Sequence, residues 1–192
     1  MNNFTRTMIT LLFMPLFVGP SLANTKSSVS SKTAEGSDLA PLKQVMNFYS
    51  MTPTIGTAGQ PTPEQFAQIK GAQYSAIINL AVAESANALA NEGEIANALD
   101  MSYTPIPVPW DAPSAKHVKE FFDVMDALEK NADKVLVHCA ANYRASVFTY
   151  KYLTLRKGLT ADKATTPLLK EWLPQMDENW RAIMALNIDE IE

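Results

Sequence analysis

Residues 134–158 constrain the fold more than any other stretch. Lys134-Val135-Leu136-Val137 is an apolar run of strand length. It passes through His138-Cys139-Ala140-Ala141-Asn142-Tyr143 into residues 144–157, which read as a helix, and Gly158 suits the C′ position that ends it. A buried strand that feeds a tight loop and then a helix is one step of an α/β alternation. Such a step implies a central, mostly parallel sheet with helices packed on its faces, a three-layer domain. In sheets of this kind ligands sit beyond the carboxyl ends of the strands. Cys139 falls there.

The preceding chain repeats the alternation. Residues 54–58 read as a first strand. Thr62-Pro63-Glu64-Gln65 carries a capping residue, a proline at the first helical position and a glutamine at the third, so a helix is expected from there to about Lys70. Residues 75–80 read as a second strand and residues 103–108 as a third, ended by Pro107 and Pro109. Alanine-rich residues 86–99 favour a helix. Residues 114–130 form another, with Val118, Phe121, Phe122, Met125 and Leu128 along one stripe. Thr160 can cap a further helix, and the chain ends in helical segments around Trp172 and Trp180, both read as core residues. No internal repeat is seen.

The loop after the strand is suited to anions. Backbone N–H groups at residues 139–144 can converge on a ligand, and the following helix start adds positive potential. The same field favours a thiolate. Arg144 brings a planar fork able to hold two phosphate oxygens at once. Asn142 suits a left-handed position where glycine would be the first choice. Ser146 either stabilises the thiolate as leaving group or is an ordinary helix serine. His138 either orients the loop or is a satisfied core histidine, and the two readings are compatible. Tyr143 is a rim for an apolar substrate group or a simple cover.

Asp111 is the candidate general acid. It follows a strand on a proline-bounded loop, although an aspartate ahead of a helix also serves as an N-cap. Glu84 is the reserve. Trp110 anchors that loop or packs in the core. His117, Asp100 and Asp123 read as surface groups.

Three composition facts bear on partners. The chain begins with Arg6 and an apolar run at residues 8–18, with Ser21 and Ala23 at the small-residue positions of a cleavage site. Residues 1–23 are therefore read as a secretory signal, residues 24–38 as a polar, serine-rich disordered leader, and residues 39–192 as one domain. Export implies a periplasmic or secreted protein that keeps no membrane attachment after cleavage. The formal net charge of −4 offers no basic stripe for nucleic acid. A single cysteine excludes an internal disulfide and multi-cysteine metal sites. No metal or cofactor is called for, because thiolate and guanidinium supply nucleophile and charge. Oligomeric state is not encoded legibly.

Val137-His138-Cys139, Arg144 and Ser146 resemble the phosphate loop of cysteine-dependent tyrosine and dual-specificity phosphatases, His-Cys-x5-Arg-Ser/Thr. The spacing here is Cys-x4-Arg, similar to a Gram-negative group, the beta-lactamase-hydrolase-like phosphatases. Gly59-Gln60-Pro61-Thr62-Pro63-Glu64, Ile77-Ile78-Asn79-Leu80 and Ile106-Pro107-Val108-Pro109-Trp110-Asp111 resemble that group's other segments. The resemblance implies hydrolysis of phosphate monoesters, on a phosphorylated protein or a small ester, through a cysteinyl phosphate. It makes Cys139, Arg144 and Asp111 catalytic. Residues His138, Ala140, Ala141, Asn142, Tyr143, Ala145 and Ser146 complete the phosphate loop. Asn142 replaces a glycine of the pattern, and Ala81 stands where an arginine is expected. Those departures leave open a non-catalytic anion binder. The Cys-x4-Arg spacing leaves open a rhodanese-type sulfurtransferase.

Overall fold

The computed structural model describes residues 39–192. The signal and leader read at residues 1–23 and 24–38 lie outside the described residues. Five strands form one sheet: β1 Tyr49–Ser50, β2 Ile55–Ala58, β3 Ala76–Asn79, β4 Ser102–Pro105 and β5 Val135–His138. Their order is β1-β2-β5-β3-β4. All neighbours run parallel except β1, which pairs antiparallel with β2. The helices are α1 Pro63–Gly71, α2 Glu92–Ala98, α3 Ala115–Lys130, α4 Tyr143–Leu155, α5 Ala161–Ala164, α6 Pro167–Trp172, α7 Glu178–Ala185 and α8 Ile188–Ile191.

Strand alternation sorts the core into two layers. Val135 and Val137 join Ala76 and Ile78 against the buried stripe Val118, Phe121, Phe122 and Met125 of α3, together with residues of α4, α6 and α7. Leu136 and Ile77 face the other way, against Phe66 and Ile69 of α1 and Ala96 of α2. Strands buried on both faces read as continuous apolar runs, and β5 shows this at the centre of the sheet. The chain leaves β2 for β3 and returns later to insert β5 between them. The carboxyl end of β5 is therefore flanked by the carboxyl ends of β2 and β3, where the sheet order reverses.

Local signals explain most boundaries. The α1 start is closed by Gln65 Oε1, which accepts from Thr62 N–H at 3.0 Å. Past α4, Gly158 takes a φ of 66°, which ends the helix in the left-handed region. Two expectations are corrected. The helix expected at residues 86–99 covers only Glu92–Ala98. Residues 82–91 form turns, with Ser85 N bonded to Val82 O and Ala88 N to Ser85 O. Alanine propensity is worth tenths of a kcal/mol per residue and yields to the tertiary contacts of Asn87 described below. The strand expected at residues 103–108 closes at Pro105. Ile106 N and Val108 N still bond to Asn79 O and Leu80 O, but Pro105 and Pro107 have no N–H to continue a regular ladder. The two-residue edge strand β1 has no apolar alternation and no sequence signal.

Candidate active site

Parity along β5 places the nucleophile candidate. Val135 and Val137 point to the α3 layer, and Cys139, two residues on, continues that side as part of the same cluster. It is free and nearly fully covered, with 1 % of its surface exposed. The next residues turn sharply into α4. Asn142 occupies the N-cap with φ 74°, as anticipated for the glycine-like position. Its Nδ2 donates to Asn47 O at 2.7 Å and to Thr57 Oγ1 at 3.2 Å.

The carbonyls of Ala140, Ala141 and Asn142 are all engaged. Ala140 O accepts from Gln60 N at 3.2 Å and from Asn87 Nδ2 at 2.9 Å. Ala141 O accepts from Asn47 Nδ2 at 3.0 Å, and Asn142 O from Ser146 N at 3.0 Å. Gly59 and Ala141 form an isolated antiparallel bridge, which turns the Asn142 N–H toward Ala58 O, while among the described residues no acceptor takes the amides of residues 140, 141 and 143–145. Three of these, at residues 143–145, belong to the opening of α4, whose first N–H groups have no partner within the helix. Arg144 is buried. Its Nη1 donates to Val108 O at 2.8 Å, while its Nε is buried with no acceptor among the described residues. A run of amides and one guanidinium N–H without acceptors, next to a thiol at a helix start, is a donor set for an oxyanion.

Parity also fixes His138. It shares Leu136's face, so it points toward α2, the side opposite Cys139. There its Nε2 lies 2.6 Å from Glu92 Oε1, both side chains being buried. The ring and the carboxylate approach off the hydrogen-bond axis, so the contact is not a regular hydrogen bond. Glu92 Oε2 accepts from Asn79 Nδ2 at 2.9 Å. The same amide reaches Tyr103 Oη at 3.1 Å, and Asn79 Oδ1 accepts from Ala81 N at 2.8 Å. Burial, with smaller effects from Glu92 against the hydrogen bond from Asn79, raises the Tyr103 phenol. His138 is thus a paired histidine beneath the loop, not a group that faces substrate.

Asp111 is exposed on the loop after β4, and this loop is carried to the phosphate loop by its neighbours. The Trp110 ring meets Tyr143 edge-on at 6.2 Å and stacks on Trp172 at 5.5 Å. Asn179 Nδ2 donates to Asp111 O at 3.0 Å, and Trp180 Nε1 to Trp110 O at 3.1 Å. The Asp111 carboxylate makes no hydrogen bond among the described residues. Ser114, not Asp111, is the N-cap of α3. Ser146 is buried and its Oγ accepts from Thr166 Oγ1 at 2.9 Å, tying α4 to the start of α6. Trp172 and Trp180 are core residues, and Trp110 keeps one face exposed, so it both anchors the loop and stays at the surface. Glu84 and Asp100 are exposed, Asp123 pairs with Lys119 at 2.8 Å, and His117 is half-buried against Ser114 Oγ at 2.9 Å. No cluster of metal-ligating side chains occurs among the described residues.

Two wider surface cavities lie elsewhere. One, of about 550 Å³, is lined by Thr54, Ser75 and Lys134 at the opposite end of the strands. The other, of about 800 Å³, runs along Tyr49, Tyr150, Thr166 and Lys170. Neither cavity is lined by Cys139 or Arg144.

No family model matches the chain, and no curated protein sequence matches it. Solved structures do. The "Putative phosphatase (DUF442)" of Shewanella putrefaciens CN-32 is 32% identical, with TM-score 0.69, and the match covers 76% of this chain and 93% of that one. The chain belongs to the DUF442 family. More distant structures share the fold. A Cys-to-Ser form of P. aeruginosa TpbA in complex with pTyr matches at 16% identity and TM-score 0.60, over 76% of this chain and 88% of that one. A Gly-to-Ala mutant of Tk-PTP matches at 18% identity and TM-score 0.57, over 71% and 93%. The architecture of this DUF442 chain is therefore that of the cysteine-dependent phosphatases, as the phosphate-loop resemblance implied.

Sequence reasoning brought the loop, Arg144 and Ser146 together and missed what surrounds them. Asn47, Asn87, Glu92 and Asn79 touch the loop or its strand from elements up to 95 residues away. One signal was available. His138 shares a face with Leu136 and Asn79 with Ile77, so two polar side chains end neighbouring strands on one buried face and need a shared partner.

Proposed function

We propose that this chain hydrolyses phosphate monoesters through a cysteinyl-phosphate intermediate. The Cys139 thiolate attacks phosphorus while the ester P–O bond breaks, and the departing oxygen takes a proton from the Asp111 carboxyl group. Water then attacks phosphorus. Asp111, now a carboxylate, accepts its proton, the S–P bond breaks, and inorganic phosphate and the thiolate are released. Amides of residues 140, 141 and 143–145 and Arg144 bind the equatorial oxygens, whose charge they balance in both steps. Ser146 supports the thiolate as leaving group. The observation that carries this reading is the cradle itself: carbonyls turned outward, and amides and Arg144 Nε without acceptors, beside one thiol. Phosphoproteins, phosphotyrosine among them, and small phosphate esters are the substrates considered, in line with the phosphotyrosine complex of TpbA. The secretory signal read at residues 1–23 supports a periplasmic or secreted location for this work.

The test is turnover of an aryl phosphate with acid quenching and intact-mass measurement. The expected result is steady release of phosphate, a trapped species heavier by one phosphoryl group, and loss of both in Cys139→Ser with orthovanadate binding retained. Release without any dependence on Cys139 defeats the proposal. A second reading, an anion binder without turnover, draws on the Arg144 bond to Val108 O, which engages one donor of the guanidinium. Vanadate binding with no phosphate release would select it.

A further inference from the structure

Each peptide unit of the phosphate loop is planar and trans, so the carbonyl of one residue and the N–H of the next point in opposite directions. Whatever pulls the carbonyl of Ala140 outward aims the amide of Ala141 inward. Whatever holds the carbonyl of Ala141 fixes the peptide to Asn142, whose N–H turns toward Ala58 O through the Gly59–Ala141 bridge and so pins the loop to β2. The carbonyl of Asn142 is taken by the helix itself, through Ser146 N. The other two are drawn by side chains from outside the loop: Asn87 Nδ2 on Ala140 O at 2.9 Å and Asn47 Nδ2 on Ala141 O at 3.0 Å. Asn87 comes from the turns between β3 and α2, and Asn47 from the segment before β1, so the two reach the loop from separate segments. Asn47 itself holds a left-handed φ of 50°, and its own carbonyl accepts from Asn142 Nδ2. Its side-chain and main-chain atoms thus grip consecutive loop residues.

We propose that Asn47 and Asn87 are positioning residues of the anion cradle, Asn87 fixing the direction of the Ala141 amide and Asn47 the course of the loop through Ala141 and Asn142, without touching substrate. The inference rests on the phosphate-ester reading of this site. It also accounts for the non-helical course of residues 82–91, since a continuous helix there would have to give up the geometry that delivers Asn87.

Both side chains are exposed, so their truncation removes little buried surface and leaves folding nearly intact. The experiment measures kcat/KM on an aryl phosphate, the inhibition constant of orthovanadate, and the melting temperature for wild type, Asn47→Ala, Asn87→Ala, Asn87→Asp and Asn87→Gln. Asn87→Ala and Asn47→Ala are each expected to lose about tenfold in kcat/KM, the worth of one hydrogen bond, and to weaken vanadate by a similar factor, with melting unchanged within about 2 °C. Asn87→Asp sets a carboxylate oxygen against the Ala140 carbonyl and should lose more than Asn87→Ala. Asn87→Gln keeps a donor and should recover part of the loss. Residues that only fill surface would leave vanadate inhibition unmoved. Asn87→Asp and Asn47→Ala equal to wild type in both constants overturn the inference alone. A wild type that neither turns over the ester nor binds vanadate overturns the phosphate reading and the inference with it.

Discussion

Replacing Glu92 by alanine removes the acceptor shared by two buried strand ends. His138 Nε2 then loses the Glu92 carboxylate at 2.6 Å, and Asn79 Nδ2 loses the oxygen at 2.9 Å. Both groups are buried in the folded chain: His138 is 0% exposed and Asn79 7%. Leaving a buried polar group without its partner costs about 1–3 kcal/mol, because the group stays desolvated. For a domain of this size each kcal/mol moves the melting temperature by about 2–4 °C, so Glu92→Ala should melt about 2–12 °C lower. Glu92→Gln keeps an oxygen for Asn79 and fills the same volume. It should lose roughly half as much, the part owed to the imidazole contact. Thermal unfolding followed by tryptophan fluorescence is a suitable assay, since Trp172 and Trp180 sit in the opposite core layer and report global rather than local loss. A Glu92→Ala melt within about 2 °C of wild type would show that the pair adds nothing to stability, and the reasoning from burial would be wrong.

Other outcomes follow from single features. Asp111→Asn should slow an aryl phosphate with a poor leaving group by about 10²–10⁴, the range of a general acid, and should affect an activated ester far less; equal rates on the poor substrate refute the assignment. Asn142→Ala replaces, at φ 74°, a residue that tolerates the left-handed region by one that does not, and drops the bonds to Asn47 and Thr57, at a cost of about 1–2 kcal/mol, whereas Asn142→Gly recovers the backbone part only, as chemical denaturation of both variants would show. Tyr74 is held protonated by burial, well above the usual tyrosine range. Its contribution to stability is complete below pH of about 10, where the unfolded phenol ionises, and is lost as pH rises beyond that. Absorbance at alkaline pH should show this tyrosine ionising only with unfolding, and the delayed step should vanish in Tyr74→Phe.

The sequence was most legible where local chemistry and burial agree. The run from Val135 through Gly158 shows an apolar strand, a loop led into a helix by an asparagine, and a glycine stop, and each feature is enforced within a few residues. The α3 stripe and the Thr62–Gln65 cap are of the same kind. The alanine-rich segment at residues 86–99 failed for the opposite reason. Its helix propensity is a sum of small increments, while its actual course is set by Asn87 and Glu92 meeting residues of β5 and the phosphate loop. Isolated asparagines carry no period and no spacing rule. Their role becomes visible only once the sheet brings residues 47, 87 and 140–142 to one place.

The short spacing between Cys139 and Arg144 gains a physical sense from those same contacts. Successive helical residues differ by 100° in azimuth and 1.5 Å in rise. An arginine one residue earlier in α4 therefore leaves the helix in a different direction and from a lower level. Here that direction leads to the segment after β4, where Val108 O fixes Nη1 and leaves Nε free of acceptors. The same segment continues through Trp110, packed on Tyr143, to Asp111. One guanidinium thus joins the phosphate loop to the loop of the candidate acid. With Asn47 and Asn87 holding the loop's outer side, orientation that a glycine-rich loop takes from its own backbone is supplied here from three separate segments of the chain.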